Sequence, residues 1–275
     1  MARPTLTDLS PAGLRAAIEA DIIATRLYNQ DIPLEAHEDP DAAWSVPAEG
    51  SEMRPVVAWS NFAPDTVERR LDDLLAVADA RRAAFLWWLA PHHGPPDLGE
   101  RLTRRGFAEV DDTAAMAMDL EELPAEDGPP PGVRIELVDD AGDVEIYVDL
   151  LMREMEHSHG VLSADARAIR REHLLGRLGN DPDSRRFIAW LDGHPVATSR
   201  LSMAGGAAGL YTVITLPEAR GQGIGRQMTL RAMHVGREAG MRIGTLQATD
   251  MGVRIYAKLG FQELFRYRMM VRPVR

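Results

Sequence analysis

The sequence predicts an α/β fold in two similar halves, only the second of which carries a phosphate-binding loop. Three observations lead there. Leu210 to Gly225 reads as a strand of apolar and β-branched residues, a proline-marked turn and a glycine-rich loop opening directly into a helix. Ile243 to Phe261 then repeats a strand and a helix, ending in Gly260-Phe261. A weaker echo of both patterns lies upstream, across an acidic, proline-rich segment.

In chain order, Val56 to Phe62 is predicted as a strand, followed by a helix from Pro64 to about Ala80. Phe85-Leu-Trp-Trp-Leu89 reads as a buried strand, and Pro91 to Pro96 as a loop whose His92 and His93 are expected to be exposed turn residues. A helix at Asp97–Arg105 ends in Gly106-Phe107, and Ala115–Leu120 closes the half as a strand. Glu121 to Gly132 has no periodicity and reads as a linker. The expected organisation is therefore residues 1–124, a linker at 125–132, and residues 133–275. The second half opens with a strand at Val133–Leu137 and helices over about Asp143–Glu156 and Asp165–Leu178. Arg186–Leu191 and Pro195–Met203 form a hairpin through the strong turn signal Asp192-Gly193. Helical spacing of Ile224, Met228, Ala232, Val235 and Ala239 predicts the next helix, stopped by Gly240. Ile243–Ala248 is a strand, and Thr249-Asp250 caps a helix carrying Tyr256.

The loop at 220–225 sets the chemistry. Backbone N–H groups left unpaired at a helix N-terminus, together with the helix dipole, make an anion site. Arg220 and Arg226 bracket it and are expected to deepen the positive potential. The spacing excludes a dinucleotide fingerprint, because the third glycine arrives one position early at Gly225. A nucleotide P-loop is also excluded, since the only lysine, Lys258, is far away. Taken alone, the loop could still be an ordinary strand-to-helix turn.

Arg220-x-x-Gly223-x-Gly225, joined to a tyrosine four residues before Gly260-Phe261, resembles the GNAT N-acetyltransferase superfamily. That resemblance implies tandem α/β domains, each a mixed, mostly antiparallel central sheet flanked by helices. It implies acetyl-CoA as co-substrate, with its pyrophosphate on Arg220, Gly221, Gln222, Gly223, Ile224, Gly225 and Arg226. The pantetheine arm falls to the backbone of Val213, Ile214 and Thr215, where the family's strand parts from its neighbour. Tyr256 corresponds to the family's general acid, with an ordinary helix-surface aromatic as the alternative. Thr249 stands where many members have asparagine and retains a hydroxyl to offer the cofactor. The implied reaction is direct acetyl transfer to a primary amine of a small molecule or peptide. A non-catalytic acyl-CoA-binding module is the alternative.

Both chemical positions are vacant in the first copy. Ala63-Pro-Asp-Thr-Val67 has no glycine, and Leu102 stands four residues before Gly106. The first half is thus expected to be a degenerate copy, with an unrelated accessory domain as the other reading. Glu154, Glu156 and His157 are the nearest candidates for a general base, although they most simply form a solvated helix face. Water is the other route for deprotonation. No metal is expected, as His157-x-His159 lacks a third ligand at a telling spacing.

Composition adds exclusions. No cysteine is present, so there is no disulfide and no acyl-cysteine intermediate. Neither a signal-peptide pattern nor an apolar run of about 20 residues occurs, and a cytoplasmic enzyme away from membranes is expected. Thirty arginines against one lysine hint at a GC-rich bacterial source. Residues 1–131 carry net −14 and residues 132–275 net +3. The acidic half serves solubility or steers a cationic substrate, and nucleic acid is not an expected partner.

Overall fold

The computed structural model describes residues 4–159 and 162–274. The first half contains α1 (Pro11–Tyr28), β1 (Leu34–Asp39), β2 (Ala42–Pro47), β3 (Val56–Ser60), α2 (Val67–Ala80), β4 (Phe85–Leu89), α3 (Leu98–Arg104) and β5 (Ala108–Asp119). The second contains β6 (Val133–Leu137), α4 (Ala141–His159), α5 (Ala164–Arg177), β7 (Ser184–Leu191), β8 (His194–Ser202), β9 (Ala208–Thr215), α6 (Ile224–Glu238), β10 (Ile243–Ala248), α7 (Asp250–Ala257) and β11 (Gln262–Arg272). All strands join one mixed, mostly antiparallel 11-stranded sheet in the order β1-β2-β3-β4-β11-β5-β10-β9-β8-β7-β6.

The middle of that order is an exchange. β11, from the second half, lies between β4 and β5, while β5, from the first, lies between β11 and β10. The two pair antiparallel from Gln262↔Ala117 to Val271↔Ala108. On either side β3 runs parallel to β4, and β9 parallel to β10, so a pseudo-twofold relates the halves about the β5–β11 pair. β5 begins at Ala108, earlier than the predicted Ala115. Its first residues are exposed and acidic, which hides the strand pattern, and they are held by β11 with Arg266–Asp112 at 2.7 Å and Arg268–Glu109 at 2.6 Å.

Helices cover both faces. α2 and α3 pack on Phe85, Trp87 and Leu89, and α6 packs on Leu210, Met118 and Leu246. α4 and α5 pack on Ile188 and Ile214 of the other face. That face also carries α1, which no sequence pattern singled out. Ser10 accepts from the Gly13 amide at its N-terminus, Pro11 fits the first turn, and Leu14, Ala17, Ile18 and Ile22 are buried. α1 serves both halves: it packs against Val56 and Trp88 of the first and Ala207 and Ile243 of the second. Its Asp21 is fully buried beneath β9 and β10, accepting from the Tyr211 and Thr245 hydroxyls at 2.7 Å each. Burial pushes this carboxyl up to about 7 against the hydrogen bonds that oppose it. A Cβ on Gly209 would lie 2.3 Å from the Asp21 oxygens, so a glycine is needed there. None of the helices among the described residues is long and apolar enough to cross a membrane.

Candidate active site

The loop after β9 has the geometry of an anion cradle. Gly221 and Gly223 adopt φ of +78° and +79°, and Gly223 caps α6 in the left-handed region, which glycine enters at no steric cost. The amides of Gly221 to Arg226 have no hydrogen-bond partner among the described residues. Nothing lies within 4 Å of where a Gly221 side chain would begin. These donors fit the phosphates of a nucleotide-bearing thioester.

The flanking arginines behave differently from expectation. Arg220 turns back, its Nε donating to the Thr215 carbonyl at 2.9 Å and its Nη2 lying 3.5 Å from Glu154. Arg226 is held by Asp127 of the linker at 2.8 Å, and Gln227 donates to the same carboxylate at 2.7 Å. Hydrogen bonds from Arg226 and Gln227 bring Asp127 down to about 2. The linker is therefore docked on α6, with Pro130 beside Gly223 and the Pro124 carbonyl bonded to His234.

β9 leaves its neighbour past Leu210, ahead of Val213. It pairs with β10 only from Gly244↔Ala208 to Leu246↔Leu210, then diverges. Its other edge stays on β8, through a bulge at which Thr212 has φ of +50°. The Leu216 amide donates to Val196 of β8, so alternation turns the Val213 and Thr215 amides toward the opened edge and Ile214's toward β8. Gly225 lies 3.6 Å from Thr215 Oγ1 and 4.0 Å from Val213 Cγ1, measured from its ideal Cβ position. The opened edge and the cradle are thus contiguous.

Tyr256 stands beside α6, the helix that the loop opens. It is half-buried on α7 and packs edge-on against Phe261 at 6.1 Å, with the Thr229 hydroxyl of α6 close enough to act on its phenol. Thr229 in turn donates to the Gly225 carbonyl at 2.9 Å. Burial raises the Tyr256 phenol above its ordinary value, with Thr229 working against it, which keeps the proton on. Thr249 occupies the N-cap position of α7, yet its exposed side chain makes no capping bond; the cap is backbone only, through its carbonyl.

The other candidates stand apart. Glu156 is exposed, and Glu154 is engaged with Arg220. The side chains of His157 and His159 lie outside the described residues. His93 is not an exposed turn residue. It is buried, accepts the Ala90 amide on Nδ1, and sets Nε2 at 3.1 Å from Glu19, which also meets His92 at 2.7 Å. Glu19, His92 and His93 could converge on an ion. Accepting at Nδ1, however, places the His93 proton on Nε2, where it serves Glu19 instead.

A cavity of about 550 Å³ lies between the halves, reaching the β9 bulge at Thr212. Arg26, Arg54, Arg170, Asp31 and Glu52 line it, all overlooked in the sequence because they sit on different elements without a shared motif. A larger cavity, about 640 Å³, lies beside Val138, Leu174 and Pro182, away from the loop and Tyr256.

Residues 146–261 match the model of the acetyltransferase (GNAT) family. No curated protein sequence matches the chain significantly. Among solved structures, a GCN5-related N-acetyltransferase from Kribbella flavida aligns with a TM-score of 0.69 and 22% identity, over 94% of this chain and 95% of that one. One from Sphaerobacter thermophilus gives 0.60 and 17%, over 98% and 95%. A tandem GNAT protein from the clavulanic acid biosynthesis pathway gives 0.60 and 14%, over 99% and 98%.

Proposed function

Residues 146–261 carry the GNAT acetyltransferase family pattern, the whole chain has a tandem GNAT-like fold, and from this premise we propose an acetyl-CoA-dependent N-acetyltransferase acting on a primary amine of a small molecule or peptide. In this reading residues 133–275 hold the active site, 1–124 form the degenerate copy, and 125–132 join them. The observation that carries it is the contiguity of the unpaired loop amides with the opened edge of β9, with Tyr256 placed beside Thr229 on the first turns of the helix that the loop opens.

The roles follow from position. The amides of Gly221 to Arg226 bind the pyrophosphate, and Val213 and Thr215 take the pantetheine arm along the opened edge. The Val213 amide donates to the acetyl oxygen as negative charge develops there. The amine nitrogen bonds to the carbonyl carbon, the carbon–sulfur bond breaks, and Tyr256 gives its proton to the departing thiolate. A thiolate of pKa ~8.5, by analogy with cysteine, leaves readily enough that a phenol suffices. The amine's own proton passes to water, as Glu154 is held by Arg220.

Calorimetry with acetyl-CoA tests the reading. One site per chain is expected, abolished by changes in the 221–225 loop. Two equivalent sites, or none, would count against it.

A further inference from the structure

The cavity between the halves has a one-sided charge balance. Arg26 projects from α1 with its guanidinium carbon 4.7 Å from the centre of the Trp88 ring. That guanidinium has no hydrogen-bond or ion-pair partner among the described residues, and its Nε is fully buried. Arg170, on α5, is buried and among the described residues hydrogen-bonds to the Ser51 and Ala166 carbonyls, at 3.3 and 2.9 Å. Arg54 adds a third, exposed cation at the rim, also without a partner among the described residues.

The two lining carboxylates are already committed. Asp31 accepts from Arg186 at 2.9 Å and from the Tyr147 hydroxyl at 3.1 Å, and lies 3.8 Å from Arg200. Glu52 accepts the Ser163 amide at 2.8 Å. Burial lowers the pKa of both Arg26 and Arg170, against the pull of Asp21 on the first and of Asp31 and Glu52 on the second. A buried guanidinium fork without an anion is costly unless a ligand supplies one.

We propose that this cavity binds the acceptor, and that the acceptor is a primary amine that also bears a carboxylate, of amino-acid or small-peptide size, with Arg26 and Arg170 gripping the carboxylate. The inference rests on the transferase reading for its chemistry. The amine end faces Thr212, whose bulge borders the opened edge of β9. Guanidinium and carboxylate match as planar, two-point partners, which an amide or a decarboxylated amine cannot reproduce. A volume of about 550 Å³ suits such a molecule. The acidic first half thus brings two arginines to the cavity, Arg26 and Arg54, beside two carboxylates, Asp31 and Glu52, that already have partners.

The test gives the full-length protein the standard L-amino acids and simple dipeptides, each beside its C-terminal amide and its decarboxylated amine. CoA release is followed at saturating acetyl-CoA. The acids are expected to exceed their amides in kcat/KM by roughly 100-fold, and Arg26→Ala to bring that ratio near one. Arg26→Lys, which keeps the charge but loses the fork, should fall between, and thermal melting verifies that both variants fold. Equal use of acids and amides, or a ratio that Arg26→Ala leaves intact, overturns the inference. Calorimetry with the same compounds separates the two readings. Acids that bind through Arg26 without CoA release uphold the cavity and break the transferase reading. CoA release confined to amines without a carboxylate does the reverse, and the absence of both acid binding and acid turnover also removes the inference.

Discussion

The two halves follow one path through β3-α2-β4-α3 and β9-α6-β10-α7, and they part company wherever chemistry is at stake. In the second half β9 and β10 diverge and stay apart. In the first, β3 and β4 diverge after Val57↔Trp87, but the gap is closed again by a bridge at Asn61↔Gly94 and by Trp87 donating to Ser60 Oγ at 3.2 Å. The loop before α6 leaves its amides open. The start of α2 is instead roofed by ion pairs from Glu68 to Arg101 of α3 and to Arg105 just beyond it. The equivalence of the last position is visible in the backbone: Phe261 donates to the Tyr256 carbonyl and Phe107 to that of Leu102, each at 3.1 Å. Tyr256 is half-buried, whereas Leu102 is fully buried in the cluster of Phe85, Trp87 and Phe107. In the first half, apolar packing and salt bridges fill the positions that stay open in the second.

That comparison can be broken in four places. The largest effect is expected at Asp21, the α1 carboxyl buried under the second half. Its folded pKa of about 7 stands above the unfolded 3.8, so between these values the native state holds a proton that the unfolded chain has released. Stability should therefore fall as pH rises from about 4 to about 7, by an amount of order 4 kcal/mol, and level off above. Urea melts of Asp21→Asn should lack this slope; an unchanged slope would detach α1 from the second half's core. Next, Leu102→Ala should cost about 2–5 kcal/mol of stability, because it empties a packed site. A negligible loss would mean that the first half's counterpart of Tyr256 is not filled core.

Tyr256→Phe should behave in the opposite way, lowering kcat about 100-fold while leaving stability and acetyl-CoA affinity nearly untouched. The alkaline limb of the rate profile should also lie above that of an ordinary tyrosine, since burial holds the proton on. An unaltered rate would make Tyr256 the equivalent of Leu102 in role as well as in place. The smallest effect is expected at Gly223. Alanine there must accept φ of +79°, costing roughly 1–2 kcal/mol, which should appear as about tenfold weaker acetyl-CoA binding in calorimetry. Equal affinity would show that the cradle geometry is not what holds the ligand.

Local patterns carried much of this into the sequence. β4, β6 and β10 occur at the predicted residues because each is a short apolar or alternating run bounded by turn signals. The vacant loop at Ala63–Val67 and the Leu102 substitution were equally legible, being differences of residue type at fixed spacing. What stayed hidden depends on long-range partners. The first 55 residues yielded no elements, because β1 is charged and α1 owes its burial to strands of both halves. Asp127 lies in the linker, and nothing in its sequence neighbourhood points to Arg226, 99 residues on. Arg26 and Arg170 gave no signal, since a cavity drawn from both halves has no spacing in sequence.

The exchange of β5 and β11 has a consequence for how the chain acquires its shape. During synthesis β1 to β5 emerge long before residues 262–272, so β4 and β5 must wait with facing edges unsatisfied until the strand that belongs between them arrives. Exposed edges of that kind invite pairing with another chain. The nascent first half is thus a species that a chaperone would hold, and its contacts with β11 are among the most distant in sequence, which slows folding. Neither half can be cut free at 125–132 without leaving the other a sheet with a missing centre, so duplication here has produced two copies that can only mature together.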